Sequence, residues 1–201
     1  MSGIADVLQP MAGDESHWRL SVEQYHDMAR HGILLDGDPV ELLEGLLVKK
    51  MTISPSHRRA TRRVRLALER VVPTGCYVDA PSPITLQRSE PEPDVVVVRG
   101  AEGDYPDRHP GPQDLLLLVE VSDSSLRRDQ GFKKVIYAKA AIPVYWIVNL
   151  IDRRVEVYSD PTGAVEQPDY RFHRDFDEAD HVPVMIEGGE VAKIPVRDVL
   201  A

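Results

Sequence analysis

The chain of 201 residues contains a single cysteine, Cys76. One thiol closes no disulfide within a chain, which suits a reducing cytoplasm, and no local motif marks Cys76 as a catalytic thiol. No apolar run is long enough to span a bilayer, and no basic-then-apolar leader opens the sequence, so neither a membrane span nor a signal peptide is expected. Positive charge is scarce: 24 Lys and Arg stand against 33 Asp and Glu, a formal net charge of -9. The pI near 5.2 excludes a protein that coats nucleic acid indiscriminately, so any nucleic-acid contact must use a local basic patch. Zinc-ligand spacings, a Gly-rich phosphate loop, a nucleophile elbow, repeats and low-complexity tracts are all missing. What remains, 42% hydrophobic and 28% charged residues, reads as one soluble globular domain over residues 18–201, preceded by a polar, flexible arm over residues 1–17.

Ser21 with Gln24 forms a capping-box signature, predicting a helix over 22–30 that stops near Gly32. PVELLEGLLVKKM predicts two short strands about a Glu44-Gly45 turn. Glu41 lies in the first. By pattern it belongs on the solvated face; the sharper reading aims it at a site. In SPSHRRATRRVRLALERVVP, Ala60, Val64, Ala67, Leu68 and Val71 give one apolar helical stripe. Arg58, Arg59, Arg62, Arg63, Arg65 and Arg70 make the rest of that helix the one dense basic surface of an acidic chain. Contact with nucleic-acid backbone through Arg58, Arg59, Arg62 and Arg63 and a merely solvated face weigh equally here. His57 precedes the helix; a lone histidine is more often structural than a ligand.

Residues 76–79 and 84–87 read as strands separated by Pro81 and Pro83. The central pair follows. Residues 94–98 are nearly all β-branched and residues 115–121 are continuously apolar, as strands buried on both faces should be. Each carries one acid at an end, Asp94 and Glu120, and a half-buried carboxylate must be paired or bind a metal. If the strands pair antiparallel with Val98 opposite Leu116, Asp94 falls opposite Glu120, and a divalent cation is the usual remedy for such a like-charge pair. Residues 129–140 are helical by pattern. Asp129, Lys133 and Tyr137 share one face, either as a surface ion pair or with Lys133 beside the carboxylates. IPVYWIVNL is a buried strand pairing with RRVEVYS across a turn near Asp152, and Tyr145 and Trp146 belong to the core. Weaker strands at 170–173, 182–186 and 191–194 and a short terminal helix complete the chain.

The order of these motifs carries a resemblance: E-L-x-x-G at Glu41, S-P-S-H at His57, P-D-V-V-V-V at Asp94, V-E-V-S at Glu120, D-x-x-x-K-x-x-x-Y from Asp129, and Pro-x-Tyr-Trp. Over residues 20–160 it resembles the Uma-two family of putative restriction endonucleases, a branch of the PD-(D/E)xK nuclease superfamily. The resemblance implies an α/β restriction-endonuclease-like fold, a mixed central β-sheet flanked by α-helices. It also implies a metal-dependent endonuclease acting on nucleic acid, DNA foremost. Asp94 and Glu120 would ligate Mg²⁺, with Mn²⁺ able to substitute, and Glu41 would add a carboxylate. The superfamily's lysine two residues after the glutamate is replaced here by Ser122, and Lys133 on the next helix stands in its place. His57, Ser122 and Tyr137 are auxiliary candidates. The Gly-Val-Pro-Glu common in the branch is Ala141-Ile142-Pro143-Val144 here, which puts a peripheral contact in doubt.

Two other readings stay open. One is a nuclease fold kept as a catalytically silent binding or scaffold module; the other is a hydrolase for a smaller phosphate ester. Cutting two strands asks for two sites, so a homodimer is expected by analogy.

Overall fold

The computed structural model describes residues 17–201; the predicted N-terminal arm, apart from His17, lies outside them. A six-stranded mixed sheet organises the chain, in the order β3-β4-β5-β6-β7-β8. Its strands are β3 (Cys76–Asp79), β4 (Val95–Arg99), β5 (Leu115–Ser122), β6 (Val144–Asn149), β7 (Arg154–Pro161) and β8 (Tyr170–Asp177). Only β5 and β6 run parallel; the other neighbours are antiparallel.

Alternation along the strands divides the core in two. Val95, Val97, Val119 and Val121 face helix α2 (Pro55–Glu69) and the hairpin of β9 (His181–Ile186) and β10 (Gly189–Pro195), which is followed by α5 (Val196–Val199). Val96, Val98 and Leu118 face the opposite way, against α4 (Lys134–Lys139) and the hairpin of β1 (Val40–Leu43) and β2 (Leu46–Lys49). β5 is buried along its whole length, because both sheet faces are covered there. Helix α2 buries Ala60, Val64 and Leu68 and leaves its arginines outside.

Local chemistry fixes the pieces around the sheet. Helix α1 (Val22–Arg30) starts on a true capping box, in which Ser21 and Gln24 bond each other's backbone N–H. The β1–β2 turn has positive φ at both Glu44 and Gly45, the two-residue turn whose twist matches a hairpin. A side chain at Gly45 would meet Arg19 Cβ at 2.8 Å and the Leu20 carbonyl at 2.9 Å. Only glycine admits the incoming chain there.

The register between β4 and β5 follows the predicted pairing at Val95–Val119, Val96–Leu118 and Val97–Leu117. A bulge then sets Val98 opposite Leu115, not Leu116. The bulge lies at the end away from the acids, so Asp94 still arrives beside Glu120. Residues 84–87 form no strand. Pro81 and Pro83 remove donors, and Ile84, Thr85 and Leu86 instead bond Pro91, Pro110 and Ser89. Ile84 and Leu86 reach the core all the same. The helix predicted over 129–140 is a π-helical turn (Asp129–Lys133) followed by α4, and a short α3 (Leu126–Arg128) precedes the predicted start. Tyr145 and Trp146 are fully buried, as expected.

Packing of α2 on the sheet makes a direct prediction. Leu68→Ala should lower the unfolding free energy by about 2–5 kcal/mol, seen as a lower urea midpoint at unchanged slope. A loss below about 1 kcal/mol would mean that α2 is not part of the cooperative core.

Candidate metal centre and its comparison with known proteins

Glu41, Asp94, Glu120 and Lys133 meet in one cavity of about 110 Å³, roofed by residues 50–53 and bordered by His57, Arg128 and Asp129. Each arrives by a separate route. β5 turns alternate residues to the α4 side, so Glu120 follows Leu118 onto that face. Asp94 precedes β4, and its Oδ2 accepts the backbone N–H of Val121 at 2.8 Å, so a side chain closes the ladder where β4 ends.

Glu41 is only 2% exposed, which overturns its placement on a solvated face. Leu43, two residues on, packs into the core, so the same hairpin face is pressed onto the sheet. Lys133, 3% exposed, lies between the acids, with Nζ 3.0 Å from Glu120 Oε1 and 3.2 Å from Glu41 Oε2. The surface-pair reading of its helix face therefore does not apply.

The electrostatics follow from burial. Removal from water pushes Glu120 up to about 8; Lys133 opposes that push, and Asp129, Asp94 and Glu41 reinforce it. Burial alone would lower Lys133, but Glu120, Glu41 and Asp129 outweigh it and hold the ammonium charged. The Tyr137 hydroxyl, pushed well up by burial, donates to Glu120 Oε1 at 2.6 Å. Burial would lower His57 as well; its bond to Asp94 at 3.2 Å prevails, and its pKa is raised. Ser54 caps α2 by accepting the His57 N–H, and its hydroxyl donates to Asp123 at 2.6 Å, which fixes His57 at the cavity wall.

Ser122 does not reach this group. Its hydroxyl donates to Asp129 at 2.7 Å, as does that of Ser125 at 2.6 Å. Arg128, which sequence reasoning missed, sits 3.8 Å from Glu41 and donates to the Lys49 carbonyl. Nothing in the sequence separates it from its neighbour Arg127. Of the predicted backbone-binding residues, Arg58, Arg59 and Arg62 are exposed and have no partner among the described residues. Arg63 is committed to the Leu200 carbonyl, which ties α2 to the end of α5.

The donor chemistry suits a hard divalent cation, while Glu41, Asp94 and Glu120 do not bring their ligand atoms within 4.8 Å of one another. Six acids, Glu41, Glu92, Asp94, Glu120, Asp123 and Asp129, line the cavity with Lys50, Arg128 and Lys133, and carboxylate oxygens are what Mg²⁺ and Mn²⁺ prefer. Glu41 Oε1 is buried without a hydrogen-bond partner, with Arg128 at 3.8 Å.

A second cluster, Glu156, His173 and Asp175, has tighter ligand spacing. Arg154 already lies 3.4 Å from Glu156 and 3.2 Å from Asp175. Burial would raise Glu156, but Asn149, Gln130 and Tyr158 donate to it and hold it below its ordinary value. Arg154 thus offsets part of that cluster's charge. A larger cleft of about 1160 Å³ beside α1 holds none of the four residues, and its Arg30, Lys50 and Arg108 pair with Asp27, Glu92 and Asp114.

A central mixed sheet flanked by helices, with acids at the ends of two adjoining strands, defines a restriction-endonuclease-like α/β protein. The family model Uma2, described as "Putative restriction endonuclease", matches residues 22–189, and the chain belongs to that family. The match continues past residue 160 through β8 and β9. A solved structure described as a putative nuclease belonging to DUF820, from Anabaena variabilis, superposes with a TM-score of 0.66 at 15% identity. The match covers 84% of this chain and 94% of that one, and it establishes the fold. No curated protein matches the chain significantly. Among the described residues no helix is long and apolar enough to cross a membrane.

Glu120 makes a prediction for the metal-free protein. Its folded pKa near 8 exceeds the ordinary 4.5, so its contribution is fully present below the unfolded value and is lost as pH rises through about 8. In EDTA, Glu120→Gln should flatten the decline in urea midpoint between about pH 5 and 8. An identical decline in both proteins would place the proton elsewhere.

Proposed function

We propose that the chain is a metal-dependent endonuclease that hydrolyses phosphodiester bonds in nucleic acid, DNA being the expected form. One observation carries this reading: a buried lysine and a surplus of carboxylates share one small cavity in a nuclease-family fold. Asp94 and Glu120 are assigned as ligands of Mg²⁺, with Glu41 as a third carboxylate and Mn²⁺ as a substitute. When bound, the ion supplies a water of lowered pKa and a counter-charge for the phosphate.

The protein's own groups do the rest. Lys133 is held as an ammonium, so its role is donation: it orients the attacking water and offsets charge on the phosphate. It is not the proton acceptor. That task falls to a carboxylate, and Glu41, whose Oε1 accepts no hydrogen bond, is the candidate. Tyr137 and Lys133 both bond Glu120 Oε1 and so fix the orientation of that carboxylate. His57 bonds Asp94 at the cavity wall and does the same for the other ligand. Ser122 acts from behind, through Asp129.

Two substitutions test the assignment. Asp94→Asn should abolish both calorimetric Mn²⁺ binding and Mn²⁺-dependent cleavage of plasmid DNA. Lys133→Met should keep the ion and lose roughly 10²–10⁴-fold in cleavage rate. Full cleavage by Asp94→Asn would sink the metal assignment. A parent protein that binds Mn²⁺ but cuts no DNA, RNA or small phosphodiester would establish the silent-scaffold reading instead.

A further inference from the structure

The proposed chemistry uses only the first turn of α2 and leaves the rest of its outer face without a role. Arg59, Arg63, Leu66 and Arg70 follow at intervals of four, three and four, which puts them on one line along the helix. Arg63, Leu66 and Arg70 of this line form one wall of a groove of about 470 Å³, whose opposite wall runs from Lys193 to Asp198, from the end of β10 into α5. Four cations, Arg63, Arg70, Lys193 and Arg197, border the groove against one acid, Asp198. Arg70 has no partner among the described residues. Lys193 meets Glu190 at 3.7 Å and Arg197 meets Asp198 at 4.0 Å, both solvent-exposed pairs that an incoming anion can replace. The floor is apolar, made by Ala67, Val71, Ile194 and Pro195.

We infer that this groove binds one strand of nucleic acid by its sugar–phosphate backbone. The inference rests on the nuclease reading of the carboxylate cavity, which borders the first turn of α2 at His57, while the groove lies along the helix's C-terminal half. The alternation suits that ligand: phosphates meet the cations on the rims, and the apolar faces of the sugars meet the floor. A free phosphate would use the cations and leave the floor idle. The line starts two residues after His57, which bonds Asp94 in the cavity. From Arg63 to Arg70 the groove wall runs about 10 Å along the helix, roughly three base-pair steps of duplex. In a chain of net charge -9, such a cationic groove runs against the overall charge. Arg63 has a separate duty in holding Leu200, so it serves the groove mainly as fixed charge.

The test is the salt dependence of binding, measured in EDTA so that metal-dependent cleavage does not intrude. Affinity of the full chain for a fluorescent 20-base-pair DNA is followed from low to moderate KCl. The triple variant Arg70→Gln, Lys193→Gln, Arg197→Gln should lower the slope of log affinity against log salt by roughly 2–3, each lost phosphate contact removing about 0.9. Arg171→Gln, which breaks an exposed pair with Asp160, is the control and should leave the slope alone. An unchanged slope in a triple variant with a parental urea midpoint overturns the inference, as does a parent chain that binds no DNA. Equal competition by poly-glutamate and by DNA of the same charge would also overturn it, assigning the groove to acidic protein. Groove-dependent DNA binding without cleavage under any metal would keep this inference and remove the nuclease reading. Metal-dependent cleavage with an unchanged slope would do the reverse.

Discussion

A single ammonium, Lys133, lies out of water between two carboxylates, and the surrounding architecture answers to it. Burying one charge costs several kcal/mol, and the attraction to a partner repays that only with good geometry and satisfied neighbours. Lys133 has Glu120 at 3.0 Å and Glu41 at 3.2 Å, so its side is met twice. The acids are not satisfied to the same degree: Glu41 Oε1 has no hydrogen bond, and Glu120 is pushed toward its neutral form. The cluster is balanced for the lysine and short of positive charge for the carboxylates. Its position between the β1–β2 hairpin, β5 and the helical segment makes it the joint of three elements. The π-helical turn ends at Lys133, and the Tyr145 hydroxyl donates to the Asp129 carbonyl at 3.1 Å from the strand beneath. A widened turn of this kind is common at functional sites.

The sheet separates packing from chemistry. On one face, α2 and the β9–β10 hairpin cover a core of aliphatic residues and Trp146. On the other, α4 and the β1–β2 hairpin cover a core that includes Tyr137, Tyr145, Tyr158 and Tyr170. Glu41, Glu120 and Lys133 open on this second side. Tyrosine suits such a border because its ring packs while its hydroxyl supplies a donor: Tyr137 to Glu120, Tyr145 to Asp129, Tyr158 to Glu156. Strand β5, buried on both faces, is the rigid member that carries Glu120 between them.

How far this was legible depended on whether the signal was local. The two central strands announced themselves by β-branched and leucine runs, and their pairing arithmetic placed Asp94 near Glu120 without knowledge of the fold. The bulge that moves Val98 opposite Leu115 was invisible because it changes no hydrophobic period. Glu41 was illegible to pattern: four strand residues with an acid among leucines look the same whether that face meets water or a second layer. Only the family's motif order pointed it inward. Residues 84–87 had the composition of a strand, but the prolines before them decided their hydrogen bonds. The helix over 129–140 was periodic enough to find, yet its π turn leaves no trace in periodicity over so few residues. Arg63 and Arg128 were one basic residue among several, and their partners, the Leu200 carbonyl and Glu41, are far away in sequence.

The acidity of the chain fits the proposed activity better than it first appears. A cavity lined by six acidic side chains and three Lys or Arg presents more negative than positive groups to a phosphodiester. Only a bound cation would reverse the sign there, so the same ion would permit substrate approach and supply the chemistry. Attraction at longer range then has to come from elsewhere. It cannot come from net charge, which is -9. Under the proposed reading the arginines on the outer face of α2 would supply it: the first turn of the helix brings His57 to the cavity wall, and its arginines lie outside that cavity. Were those arginines paired internally with the acids of the cavity, the ion would lose its ligands and the substrate its guide. Placing the two charges on adjoining but separate surfaces keeps both available.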